Sequence, residues 1–112
     1  SSSSAVSEKI DWDIQNNRIN HILNGTDGGH IDGWNKMGID PSNKNAWGLV
    51  YPVLRYVVDN YDTISQFAVD KGAHIVKYTK EFTQLGVTVV VQNWVSADGL
   101  IQRLSDAWAA IH

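Results

Sequence analysis

The chain has 112 residues, no cysteine and a formal net charge of −3, with 43% hydrophobic and 19% charged residues. That length suits one domain with a modest core, and the absence of cysteine excludes disulfides, thiolate zinc sites and cysteine nucleophiles. No run of about 18 apolar residues is present, so no membrane-spanning helix is expected, and the acidic balance argues against a broad nucleic-acid face while allowing a local basic patch.

Ser1 to Ser4 is a low-complexity start, so residues 1–6 read as a linker end or remnant and 7–112 as a single domain. From Ser7 to Leu23, Ile10, Ile14 and Arg18 recur at four-residue steps, with Ile19, Ile22 and Leu23 at the adjacent edge. This predicts a helix capped by Ser7, with Glu8, Asp11 and Asp13 near its start and Asn24-Gly25 as its stop. Gly25 to Pro41 is expected to be loop, because glycines 25, 28, 29, 33 and 38 allow tight turns or close approach of a ligand. A phosphate cradle is a weak further reading of this loop, because neither a Walker pattern nor GxGxxG is present.

Trp47, Val50, Tyr51, Leu54, Val57 and Val58 predict a second helix over about 45–59, with Pro52 tolerated near its first turn. Thr63 to Val69 fits either a short helix or a strand, and helix is favoured. Ala73 to Phe82 alternates as a strand, with His74, Val76, Tyr78, Lys80 and Phe82 on one face and Ile75, Lys77, Thr79 and Glu81 on the other. Leu85-Gly86 is a turn, and Val87 to Val95 is the clearest strand, rich in β-branched residues. Asp98-Gly99 marks a hairpin, after which Leu100 to Trp108 pairs back and 109–112 frays or turns. Helices first and an antiparallel meander second give an α+β fold.

Two histidines stand nine positions apart. His21 lies late in the first predicted helix, on the face of Ile10, Ile14 and Arg18, and His30 follows a Gly-Gly pair. Two imidazoles at one phosphate can act as base and acid, since imidazole titrates near pH ~6.5. The competing reading is a helix-end histidine and an unrelated loop histidine. A metal site built with Asp27 or Asp32 would need a third ligand that spacing does not supply. His74 reads as a strand residue and His112 as a terminal one. Lys77 and Thr79 share a strand face, where lysine could meet developing phosphorane charge or simply face solvent. Ser105 and Trp108 fall on the last strand, and Trp108 could stack a base or pack in the core. Asp11 and Asp13, two apart, do not share a helix face, which disfavours a glycosidase pair.

The run RINHILNGTDGGH, Arg18 to His30, resembles the N-terminal signature of bacterial EndoU-type ribonuclease toxins, in the wider group of small toxin ribonucleases that includes barnase, colicin tRNases and RelE. GVTVVV, Gly86 to Val91, is similar to the strand of the family's β-meander, and Gly99, Ser105 and Trp108 suit its final hairpin strand. Relatives commonly carry Tyr where this chain has Trp108, and their Tyr-Pro ending is missing. The resemblance implies helices followed by a meander, with catalytic His21 and His30 and a lysine, Lys77, backed by Lys80 and Lys36. Ser105, Thr79 and Trp108 would bind substrate.

The implied reaction is cofactor-free and metal-independent RNA cleavage, with tRNA as the expected substrate. His30 would take the 2′-hydroxyl proton and His21 would protonate the leaving 5′-oxygen, with the two roles interchangeable. The resemblance further implies a toxin tip of a larger secreted or surface-delivered protein. It would act in the cytoplasm of a target cell, meet a cognate immunity protein and have no stable membrane association. The alternatives are a non-catalytic protein-binding module, or a toxin of similar build that acts on another substrate.

Overall fold

Val87–Val95 forms the inner strand β3 because every second side chain has a buried place to go: Val87, Val89, Val91, Asn93 and Val95 are all buried. In the computed structural model, which describes residues 6–24 and 30–111, with side chains for all of these but His30 and Ile31, four strands form one antiparallel sheet in the order β1-β2-β3-β4. They are β1 (Thr63–Ala68), β2 (His74–Phe82), β3, and β4 (Gln102–Ile111). Cross-strand partners point to the same face. Tyr78, Val91 and Ala107 therefore form one buried row toward the helices, with Val89 and Ala109 in the next. The opposite face carries Lys77, Thr79, Val90, Gln92, Trp94 and Trp108.

Helix α3 (Ala46–Asp59) covers the inner face with Ala46, Val50, Leu54, Val57 and Val58, the stripe expected of an amphipathic helix. Each valine or leucine of that stripe contributes about 1.5–3 kcal/mol when fully buried. Pro52 sits in the second turn rather than the first, where it withdraws the N–H that would bond to Gly48.

Four expectations are corrected. The predicted helix over 7–23 is broken: Val6–Lys9 is a 3-10 turn, and α1 spans only Asn16–Asn24. Between them the chain runs along the edge of β4. The Asp11 N–H donates to the Gln102 carbonyl (2.8 Å), and the Leu104 N–H donates to the Asp11 carbonyl (3.2 Å). The Asp11 carboxylate accepts the Asp13 N–H (2.9 Å), a local bond that competes with helix. Ser7 is accordingly no helix cap. It is 1% exposed, and its N–H and Oγ both donate to the Asp59 carboxylate, at 2.9 and 2.7 Å.

The expected loop over 25–41 contains helix α2 (His30–Lys36), anchored by the buried Trp34, whose Nε1 donates to the Ile22 carbonyl (2.7 Å). Thr63–Ala68 is strand β1, not helix, and all six of its residues are exposed. Finally, β4 neither frays nor turns after Trp108: it pairs with β3 as far as Ile111 opposite Val87.

Candidate active site

The two rows that run across the outer face of the sheet set up the site. Lys77 on β2 is opposite Gln92 on β3, and Gln92 is opposite Asp106 on β4. One step along, Thr79, Val90 and Trp108 form the next row. Lys77, Thr79 and Trp108, three of the residues singled out from sequence, thus share one face in adjacent rows. Strand spacing puts the Cα atoms of Lys77 and Asp106 roughly 10 Å apart, a span that a lysine side chain can largely cross over Gln92.

At the row's end β4 changes step. The register passes from Gln92–Asp106 to Asn93–Leu104, so Ser105 is the extra residue of a β-bulge. A bulge bends the strand and re-aims neighbouring side chains. Here α1 meets it: Nε2 of His21, in the last turn of α1, lies 3.5 Å from Oδ2 of Asp106. The imidazole is about half exposed (46%) and the carboxylate less so (22%). A carboxylate facing one ring nitrogen favours one orientation of the ring.

Beside this pair an open cleft of about 700 Å³ runs between residues 13–21 and β4. His21 and Ser105 line it, together with Arg18, Trp94 and Arg103. Lys77, Thr79 and Trp108 are not among its lining residues.

His30 opens α2, and its side chain lies outside the described residues, as do Gly28, Gly29 and Asp27. Its meeting with His21 is therefore not part of this geometry. Lys80 alternates to the inner face, where its Nζ approaches Asp62 Oδ1 at 3.3 Å. The Asp62 carboxyl is held below the usual carboxylate range, chiefly by the Glu81 N–H and then by Lys80. Lys36 ends α2 beside the β2–β3 turn, its Cε 3.9 Å from where a Cβ on Gly86 would stand. Six residue steps along β3 take Gly86 to Gln92, roughly 20 Å at strand rise, so of the three lysines Lys77 is the one set on the outer face in the row that ends at Asp106. His74 starts β2 opposite Val95, on the sheet face away from Trp94, and is not among the residues that line His21's cleft. Among the described residues no group of three or more His, Asp or Glu is gathered as a metal site would need, and no helix is long and apolar enough to cross a membrane.

Sequence reasoning missed Asp106, Gln92, Trp94 and Arg103. The first three become neighbours of the site only through strand register, and Arg103 through the bulge that follows it. Arg18 did carry a signal, since it stands three residues before His21 on the same helix and so shares its face.

No family model, curated protein or solved structure matches this chain.

Proposed function

We propose that this domain is an endoribonuclease that cleaves RNA by attack of a ribose 2′-hydroxyl on the adjacent phosphorus. In this reading the 2′-oxygen loses its proton to one imidazole as the O–P bond forms. The 5′-oxygen then leaves with a proton from the other, giving a 2′,3′-cyclic phosphate and a free 5′-hydroxyl. His21 is one of the two imidazoles, oriented by Asp106, and His30 at the start of α2 is the other. Lys77 supplies positive charge to the phosphorane, and Thr79 and Trp108 hold the nucleotide on the sheet. The observation that supports this most directly is the placement of the His21–Asp106 pair at the end of the row that carries Lys77. The substrate in view is tRNA, with the domain delivered as a toxin tip into a target cell and held in check by an immunity protein.

The test is incubation of the purified chain with total bacterial RNA in EDTA, read on a denaturing gel beside His21→Ala, His30→Ala and Lys77→Ala. Wild type should yield discrete fragments ending in cyclic phosphate, and each histidine variant should be slower by at least ~10²-fold. Intact RNA with wild type, or undiminished cleavage by both histidine variants, would overturn the assignment.

A further inference from the structure

The catalytic reading leaves the cleft beside His21 without a task, and its lining is unusual for an acidic chain. Arg18 and Arg103 face it with His21, against one carboxylate, that of Asp13. Among the described residues neither arginine has a carboxylate within ion-pair distance. The Arg103 guanidinium instead lies over the Trp94 ring, its central carbon 4.5 Å from the ring centroid. Such a stack fixes a flat cation whose outer plane can take a nucleobase while its N–H edges meet phosphate. Arg18 sits one helical turn before His21, so cationic groups stand on both walls of the cleft.

Resting on the ribonuclease reading, we infer that this cleft is the subsite for the nucleotide next to the scissile phosphate of single-stranded RNA. Arg18 and Arg103 take the flanking phosphates, and the Arg103–Trp94 stack takes the base. The arrangement also bears on how a chain of net charge −3 can hold a polyanion: two of its nine Lys and Arg line this cleft against the single lining carboxylate of Asp13, a local excess of positive charge.

The experiment uses the full chain and a fluorescent single-stranded 2′-O-methyl RNA oligonucleotide, which lacks the attacking hydroxyl and cannot be cleaved by this route. Its binding is followed by anisotropy across a salt series. Arg18→Gln and Arg103→Gln should each weaken binding about 5- to 30-fold and flatten the dependence of log affinity on log salt by about 0.7. Lys44→Gln, at an exposed position before α3, removes the same charge elsewhere and should change neither quantity. Circular dichroism of the surface arginine variants controls for folding. No binding by wild type, or arginine variants that behave like Lys44→Gln, overturns the subsite. Arginine-dependent binding together with intact RNA in the cleavage assay would keep the subsite and remove the catalytic reading. Cleavage that is indifferent to both arginines would do the reverse.

Discussion

Replacing Gly33 by alanine should destabilise the domain, although it improves helix propensity. In an ordinary helix interior Gly→Ala gains about 1 kcal/mol. Gly33 lies in α2 with its Cα turned to the backbone of β4. A Cβ there would overlap the Ala109 carbonyl oxygen, with the Ala109 carbonyl carbon at 2.6 Å and its Cβ at 2.8 Å. Carbon contacts settle near 3.5–4.0 Å, so helix or strand must move by about 1 Å. Neither moves freely. Trp34, the next residue, is 0% exposed and bonded to the Ile22 carbonyl, and β4 is paired along its length with β3.

Overpacking of this kind costs about 1–3 kcal/mol, occasionally more. A clash with backbone atoms this close belongs at the upper end of that range, so after the propensity gain a net loss of about 2 kcal/mol is expected, or roughly 10 °C in Tm for a domain of this size. Urea unfolding followed by tryptophan fluorescence and circular dichroism would measure it. Gly48→Ala is the matched control: it lies in α3, a Cβ there meets nothing within 4 Å, and it should stabilise by about 0.5–1 kcal/mol. A Gly33→Ala protein as stable as wild type, or the same sign in both variants, would refute the close-approach argument. If the proposed ribonuclease activity holds, the displaced helix, which begins at His30, should also slow that cleavage below its Tm.

Ser7→Ala should cost about 1.5–3 kcal/mol in urea unfolding, because it removes a hydroxyl that donates to the Asp59 carboxylate at 2.7 Å and accepts from Arg55 Nη2 at 3.3 Å; a change under about 0.5 kcal/mol would show that the N-terminal turn is not held there. Three exposed carboxyls are held below their ordinary range: Asp40 by the Ser42 hydroxyl, Asp62 by the Glu81 N–H, and Asp98 by the Ser96 hydroxyl. With the folded value lower than the unfolded one, their contribution is present above about pH 4 and lost as pH falls through the folded value. Tm should therefore decline below about pH 4, and less steeply in Asp98→Asn; an identical acid limb in that variant would contradict the assignment. Tyr78 is shifted the other way, its phenol pushed up first by burial and then by Tyr61 and Asp59. In an ultraviolet absorbance titration its ionisation should come above the ordinary ~10, and Tyr78→Phe should remove that late step.

The elements that the sequence makes legible are those whose own pattern matches their burial. The stripe from Ala46 to Val58 and the alternation from Val87 to Val95 each bury a continuous face, so periodicity alone locates α3 and β3 within a residue or two. The same holds for β2, and the helices-then-meander order follows from these pieces. The elements that were not legible are stabilised by something outside themselves. Ile64 and Phe67 in β1 are spaced as on a helix, and all six residues are exposed; the segment is a strand because β2 offers it a hydrogen-bonding edge. Helix α2 is short and carries a glycine, Gly33, in its middle, and it exists because Trp34 is buried and β4 accepts the bare glycine. The first predicted helix breaks because Asp11 pairs with β4 instead of with its own chain.

The candidate site divides in the same way. Residue types make His21, Lys77, Thr79 and Trp108 candidates, since few side chains can move a proton, meet a phosphate or stack a base, and the resemblance to EndoU-type toxins is what singles them out. Period-two alternation alone also puts Lys77 and Thr79 on one strand face. Which partner His21 meets, and that Arg103, Trp94 and Arg18 gather beside it, depends on the register of β4 and on the extra residue Ser105 within it. One residue added to a strand shifts every later side chain relative to its neighbours. Such a shift is fixed by the docking of α1 and the Asp11 segment on β4, contacts between parts of the chain that lie about 80 or more residues apart. The sequence by itself therefore determined the chemistry on offer and most of the secondary structure, while the tertiary structure decided which of those groups stand together.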